Sequence, residues 1–274
     1  MSKLSGLKLN IMPNKKIKMP GILIAAVMFA FLNACATTHG SDPKDPWESW
    51  NRGAQSFNDG VDDYVMKPVA KGYERVTPTF AHRAVTNFFS NLDDIDVIAN
   101  DALQGKFSQS GLDSARFLVN STVGIGGLFD IGAMIDLTKH NEDFDQTLGF
   151  WGMPSGPYLV LPFLGPSSPR GVAGLLSDAA LNPISYTGVY FGTSSYVSYA
   201  VSGGMGALKA IDSRANNLGL EKVITEAAID RYEFFKNAYL SRRNYLIHDG
   251  NVPDEDVLRF DEKNNNGLGP ISPY

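Results

Sequence analysis

The acidic residues are the first place to look for chemistry. Asp93, Asp94, Asp96 and Asp101 fall within nine residues, dense enough to suggest a divalent-cation loop. Their spacing lacks the alternating ligand order and central glycine of such a loop, so they read as the solvated face of a helix. The four histidines, His39, His82, His140 and His248, lie far apart in sequence with no thiol near any of them, and no metal centre is expected. No Gly-x-Ser-x-Gly turn is present to raise a hydrolase serine. "TVGIGGLFD" (122–130) offers Gly124, Gly126 and Gly127, but Phe129 stands where a dinucleotide-binding turn needs glycine. Gly105-Lys106 is followed by Phe107, where a phosphate loop needs Ser or Thr. No enzyme and no cofactor are expected, and whatever the protein does it must do without an internal nucleotide.

Cys35 is the remaining reactive group and the only cysteine, so no internal disulfide is possible. It follows a basic stretch holding Lys3, Lys8, Lys15, Lys16 and Lys18 and an apolar run from Ile22 to Leu32. That order is an export signal, and the run is too short to cross a bilayer as a helix. "LNAC" (32–35) resembles the lipobox of bacterial lipoproteins, which makes Cys35 the expected lipidation site and 1–34 the removed signal. Several acyl chains at roughly 0.8 kcal/mol per buried CH₂ hold a protein on a membrane. Ala36 after the cysteine, by resemblance to the sorting rule, points to the outer membrane.

Removal of 1–34 takes five of the 24 basic residues and none of the 29 acids, leaving a mature net charge of about −10. Such a chain does not seek nucleic acid or a polybasic grip on anionic lipid. Membrane attachment must come from the anchor and from apolar surface.

The elements that would position these groups are mostly helical. Residues 35–46 form a polar tether. Asp45 is a candidate N-cap for a helix carrying Trp47, Trp50, Ala54, Phe57, Val61 and Tyr64 at spacings of three and four. Two tryptophans one turn apart read either as headgroup-level anchors or as core. Further apolar stripes run through Val85, Phe88, Phe89, Leu92, Ile95, Ile98, Ala99 and Leu103, and through Leu112, Ala115, Phe117, Leu118, Val119 and Thr122. A long helix is expected within 220–250, stopped by Gly250. Residues 190–201 read equally well as strand. Residues 251–274, polar and broken by proline, are expected to be a disordered tail, leaving 47–250 as one helical domain.

One segment resists this reading. From Gly149 to Gly174 the chain is apolar yet rich in glycine and proline, centred on "GPYLVLPFLGPSSPRG" (156–171). Proline removes a backbone donor and is excluded from helix interiors and central strands. The segment is either a long loop packed under helices or a re-entrant wall bordering a water-filled passage at membrane depth.

Several blocks together resemble the MlaA/VacJ family of outer-membrane lipoproteins: "DPWESWNRGAQSFNDGVDDYVMKPVAKGYERVTP" (45–78), "FFSNLDDIDVIANDALQGK" (88–106), "RFLVNSTVGIGGLFDIGA" (116–133), "QTLGFWGMPSGPYLVLPFLGPSSPRG" (146–171) and "YEFFKNAYLSRRNYLIHDG" (232–250). Gly171 stands where the family tends to carry Asp after its Arg, and Asp178 is the nearest substitute. The resemblance implies a mostly α, ring-like, membrane-embedded lipoprotein whose Gly/Pro-rich segment borders a central amphipathic channel. It also implies removal of mislocalised phospholipid from the outer leaflet, transfer to a soluble periplasmic carrier protein, and association with a trimeric outer-membrane porin. The alternative is a structural lipoprotein that binds porin or envelope without moving lipid.

Within that frame a passage must give a polar lipid head a wet wall, because a charge at the bilayer centre costs at least about 2.5–3.5 kcal/mol. The expected channel or lipid-contacting residues are Trp50, Asn51, Arg52, Phe57 and Asn58 on the first helix. Gly156, Pro157, Tyr158, Leu161, Pro162 and Phe163 are expected from the central segment, with Arg170, Asp178 and Arg214 beyond it.

Overall fold

A computed structural model describes residues 45–186, 195–220 and 230–252. The signal 1–34, Cys35, the tether up to residue 44, the start of the strand-like stretch, residues 221–229 of the expected long helix and the tail from 253 onward lie outside the described residues.

The described residues open with α1 (Glu48–Val61), pass through one π-helical turn (Asp62–Met66) and continue as α2 (Lys67–Val76). Pro68 brings no N–H to this junction, and the bonding widens there: Lys67 N–H reaches Asp62 carbonyl, five residues back. Pro78 then forces Thr77 into extended backbone and ends α2. The first helix thus starts later than the sequence suggests. Asp45 does not cap it; its carboxylate is fully buried and accepts from Asn51, Tyr232 and Lys236.

α3 (Thr79–Leu103) and α4 (Phe107–Thr122) fold back on each other across a short turn in which Gly105 takes φ +78°. Short α5 (Ile131–Met134) and α6 (Phe144–Phe150) follow, α6 being capped by Asp143, whose carboxylate accepts from Gln146 N–H. Next comes a β-hairpin, β1 (Leu159–Leu161) and β2 (Gly165–Ser167), then α7 (Pro169–Leu181) with Ser168 as N-cap and Pro169 in the first turn. α7 lies very close to α6 because position 174 is glycine: a Cβ there would sit 2.7 Å from Asp145 N. A 3₁₀ turn (Pro183–Tyr186) precedes α8 (Ser195–Asn216), which packs on α2 and α3, so the strand-like stretch is helical from Ser195 on. α9 (Arg231–Ile247), capped by Asp230, packs on α6 and β2.

The Gly/Pro segment therefore contains regular structure. Leu159 pairs with Ser167, Val160 with Pro166 and Leu161 with Gly165, antiparallel. Pro166 is tolerated because it faces Val160, whose own N–H and carbonyl turn away from β2 and bond to α1 side chains.

The helices have two faces where the periodicity places them, and the polar face is the inner one. In α4 the buried stripe is Asp113, Arg116 and Asn120, while Leu112 and Leu118 are exposed; Leu118 is 58% exposed against 1% for Asp113. In α3 the buried positions include Asn91, Asp94, Val97, Asn100 and Asp101, continuing to Gln104. Asp94 and Asp101 are thus not on a solvated face. Among the described residues, nine apolar side chains are buried against eighteen polar or charged ones, the reverse of a water-soluble domain. The polar stripes bond to one another instead: Arg116 to Asp130 (2.7 Å) and the Leu137 carbonyl (2.7 Å), Asn120 to Asp130 (3.1 Å), and Lys139 to Asp94.

Candidate functional site

The hairpin is held by α1. Asn51 Nδ2 donates to the Tyr158 carbonyl (3.0 Å) and to Asp45 Oδ1 (2.8 Å), and its Oδ1 accepts from Val160 N–H (2.8 Å). Two turns on, Asn58 Nδ2 donates to the Leu161 carbonyl (2.9 Å) and its Oδ1 accepts from Phe163 N–H (2.7 Å). Trp50 Nε1 adds a bond to the Val160 carbonyl (3.2 Å). Asn51 and Asn58 stand seven residues apart, about 10 Å along the helix, so one amide holds Val160 in β1 and the other holds Phe163 in the turn that follows. The two side-chain amides thereby take the place of a neighbouring strand.

This clamp divides the segment into a rooted base and a bare tip. Tyr158 and Val160 are fully buried, and Tyr158 packs against Ala54, Tyr232 and Tyr239. At the other end Pro162, Phe163 and Leu164 are exposed, Phe163 by 73%. Phe163 adopts φ +66°, a left-handed conformation costly for a non-glycine residue. The Asn58 bond to its N–H and an edge-on contact with Phe57 at 5.0 Å hold it there. Leu161, between base and tip, and Pro157, just ahead of the base, are half-buried. Trp47 and Trp50 are both exposed, which removes the core reading of that pair.

The charged candidates have partners. Arg170 is buried, with Nε donating to Asp145 (2.6 Å) and a terminal nitrogen donating to the Met153 carbonyl (2.8 Å). Asp145, rather than Asp178, therefore supplies the acid absent from position 171. Asp145 also faces Arg243 (3.3 Å), which bonds Asp143 (2.5 Å). Arg214 makes a two-pronged pair with Asp62 (2.6 and 2.7 Å), tying α8 to the π-helical turn. Arg52 lies on the surface between Glu48 (2.7 Å) and Asp230 (3.1 Å), its guanidinium 4.2 Å from the Tyr232 ring centre. Asp178 accepts from Phe144 N–H (3.0 Å) and Asn100 (3.4 Å), and burial pushes its carboxyl up to about 6.

Two cavities lie beside this cluster and share Arg243. The larger, about 610 Å³, lies between α3, the approach to α6, β2, α7 and α9. Its wall mixes Asp96, Asp178, Gln146 and Arg242 with Val97, Phe235 and Leu246. The smaller, about 480 Å³, is bordered by Gly156, Arg170, Leu240, Asn244 and Ile247. Of the residues expected from sequence, Asp178 lines the larger cavity and Gly156 and Arg170 the smaller. Asn51 and Asn58 are committed to the hairpin backbone, while Phe57, Pro162 and Phe163 gather on one exposed apolar edge. Asp45, Asp145, Gln146 and the α9 arginines were not anticipated from sequence. The only signal for the first was its place just before the Trp47 helix, and for Arg242 and Arg243 their adjacency in the last turns of a helix that alternates aromatic and polar residues.

Comparisons with known proteins agree on one family. The model of the MlaA lipoprotein family matches residues 43–246. An uncharacterized protein of Rickettsia felis is 36% identical over 143 residues, a match covering 52% of this chain and 57% of that protein, so it spans little more than half of that relative's length. The "Intermembrane phospholipid transport system lipoprotein MlaA" of Haemophilus influenzae is 30% identical over 256 residues, covering 89% of this chain and 99% of that protein. The protein of the same name in Escherichia coli K12 is 29% identical over 232 residues, covering 82% and 88%. A solved structure described as the "Structural basis for maintenance of bacterial outer membrane lipid asymmetry" superposes with a TM-score of 0.63 at 28% identity, covering 74% of this chain and 98% of that one.

Proposed function

Since this chain belongs to the MlaA lipoprotein family, we propose that it removes mislocalised phospholipid from the outer leaflet of the outer membrane and so maintains lipid asymmetry. The observation that carries the reading is the reversal of burial. Polar stripes on α3 and α4 point inward, while Phe107, Leu118, Phe129, Met134, Phe163 and Leu176 face outward. Apolar surface on that scale marks contact with lipid or a partner. Among the described residues no helix is long and apolar enough to cross a membrane, which fits a protein lying within one leaflet under its lipid anchor. The inward polar groups offer a headgroup bonds that acyl chains cannot, lowering the barrier to its passage.

In this reading the protein is a passive passage, and its partners set direction. A soluble periplasmic carrier accepts the lipid on one side. A trimeric porin, part of the family resemblance, supports the protein in the membrane, with the exposed aromatic and aliphatic side chains as its contact surface. Residues 156–164 and α1 form the lipid-facing edge, on the strength of the exposed Phe57 and Phe163 pair.

Deletion of the gene tests the proposal. The expected result is phospholipid in the outer leaflet and raised sensitivity to detergent, both reversed by the intact gene. An undisturbed outer leaflet overturns it in favour of a structural lipoprotein.

A further inference from the structure

The larger cavity holds more charge than it uses. Asp93 is paired with Lys209 (2.5 Å), Glu142 with Lys106 (2.9 Å) and Asp143 with Arg243 (2.5 Å). Four groups on the same wall keep bonding capacity unused. Gln146 is 98% buried (2% exposed); its Nε2 donates to the Asn141 carbonyl (3.2 Å), which orients the amide, and its Oε1 has no partner. Asp96 Oδ1 is buried and also without one. Asp178 uses one oxygen for the α6 N-terminus and Asn100. Arg242 is exposed and makes no ion pair among the described residues.

We infer that this cavity is a headgroup subsite for a primary-ammonium phospholipid, with the ammonium between Asp96, Asp178 and Gln146 Oε1 and the phosphate against Arg242. The inference rests on the lipid-transport reading and adds the headgroup class to it. A buried acceptor left unpaired is costly, and an N–H donor carrying positive charge satisfies three acceptors at once. Burial, reinforced by Asp178 and Asp93 and opposed by Lys209 and Lys139, pushes Asp96 up to about 7, as befits a carboxyl that lacks a cation. A quaternary ammonium brings charge but no N–H for Gln146. A glycerol headgroup brings no cation, and its lone phosphate would face two carboxylates. Val97, Phe235 and Leu246 supply apolar wall for the adjoining glycerol and upper acyl carbons.

The test is calorimetric titration of the full chain in detergent with short-chain phosphatidylethanolamine, phosphatidylcholine and phosphatidylglycerol, and with glycerophosphoethanolamine as the lipid-free probe. The expected order is ethanolamine above choline above glycerol, with roughly tenfold between first and last. Asp96→Asn removes most of that preference, weakening ethanolamine-headgroup binding and easing the repulsion of the glycerol-headgroup phosphate; Arg242→Gln weakens all three lipids alike. Asp178→Asn is a second route, because asparagine keeps an acceptor for Phe144 N–H. Equal affinity for all headgroups, or a preference that survives both Asn variants, overturns the inference while leaving lipid transport standing. Glycerophosphoethanolamine binding as tightly as the lipid overturns the lipid source in favour of a free solute. Binding of no lipid, together with an undisturbed outer leaflet in the deletion strain, overturns both readings.

Discussion

The Tyr232 hydroxyl donates to Asp45 Oδ2 at 2.5 Å across 187 positions of sequence. This bond fastens the residue just ahead of α1 to the first turn of α9. Around it Asn51 (2.8 Å) and Lys236 (3.4 Å) complete the carboxylate's shell.

Asp45→Ala leaves the buried ammonium of Lys236 with Glu233 alone and the Tyr232 hydroxyl without an acceptor. Removing one member of a buried pair costs about 3–5 kcal/mol, so a large drop in unfolding midpoint is expected. Tyr232→Phe removes one bond to a charged acceptor and costs about 1.5–3 kcal/mol. Denaturation of the two variants in detergent checks the order.

Asn51 and Asn58 make the same bonds in different surroundings. Asn51→Ala strands the Tyr158 carbonyl and Val160 N–H, each costing about 1–3 kcal/mol if left unpaired, and lowers global stability. Asn58→Ala frees backbone that water can reach, so stability falls by less than about 1 kcal/mol while the tip loosens. Hydrogen exchange at the Phe163 amide reads the difference: it accelerates in Asn58→Ala well before global unfolding.

Phe163→Asp places a charge on the exposed tip. Because the side chain is mostly outside the core, stability changes by less than about 1 kcal/mol. Lipid asymmetry is lost, since a carboxylate in the apolar edge is expensive. Leu161→Asp, at a half-buried position, loses function as well. Outer-leaflet phospholipid in complemented deletion strains measures both, and normal asymmetry in either removes this edge from the lipid path.

Asp101 is wholly buried against Asp113, and neither of its oxygens meets an N–H or hydroxyl donor; what the two acids can share is a proton. Burial first, then Asp113 and Glu142, hold the Asp101 carboxyl above its usual range, with Lys106 opposing. Asp113 also faces Gln109 (2.9 Å) and His140 (3.1 Å). A folded-state pKa above the unfolded value near 4 means that the native chain binds the proton more tightly. The stability this gives is complete below about pH 4 and is lost as pH rises toward neutrality. Asp101→Asn, fixed in the neutral form, is therefore more stable than the parent at pH 8 by at least about 1 kcal/mol and nearly level at pH 4. Thermal melts at the two pH values decide it.

Helix positions were legible because periodicity survives whichever side faces in. The stripe of Leu112 and Leu118 and the stripe of Asp113, Arg116 and Asn120 share one helix, and the pattern alone does not say which is the inside. That depends on the solvent, which periodicity does not record. The hairpin was hidden for a different reason. Its strands are three residues each, and one carries a proline made harmless by a partner whose amide bonds elsewhere. The seven-residue interval between Asn51 and Asn58 was visible, but its meaning required a strand about a hundred residues away. Arg170 stands out in the sequence, but its acid lies upstream at Asp145 rather than downstream at Asp178, a pairing that only the packing of α7 on α6 creates.

The outward-facing hydrocarbon side chains have a bearing on how the protein reaches its destination. A polypeptide dressed this way gains little by closing up in an aqueous compartment, so its native form belongs as much to the surrounding phase as to its own contacts. For the proposed outer-membrane location, crossing the watery gap between two membranes then calls for an escort that covers those side chains. In the leaflet placement proposed above, merging with lipid becomes the last step of its folding.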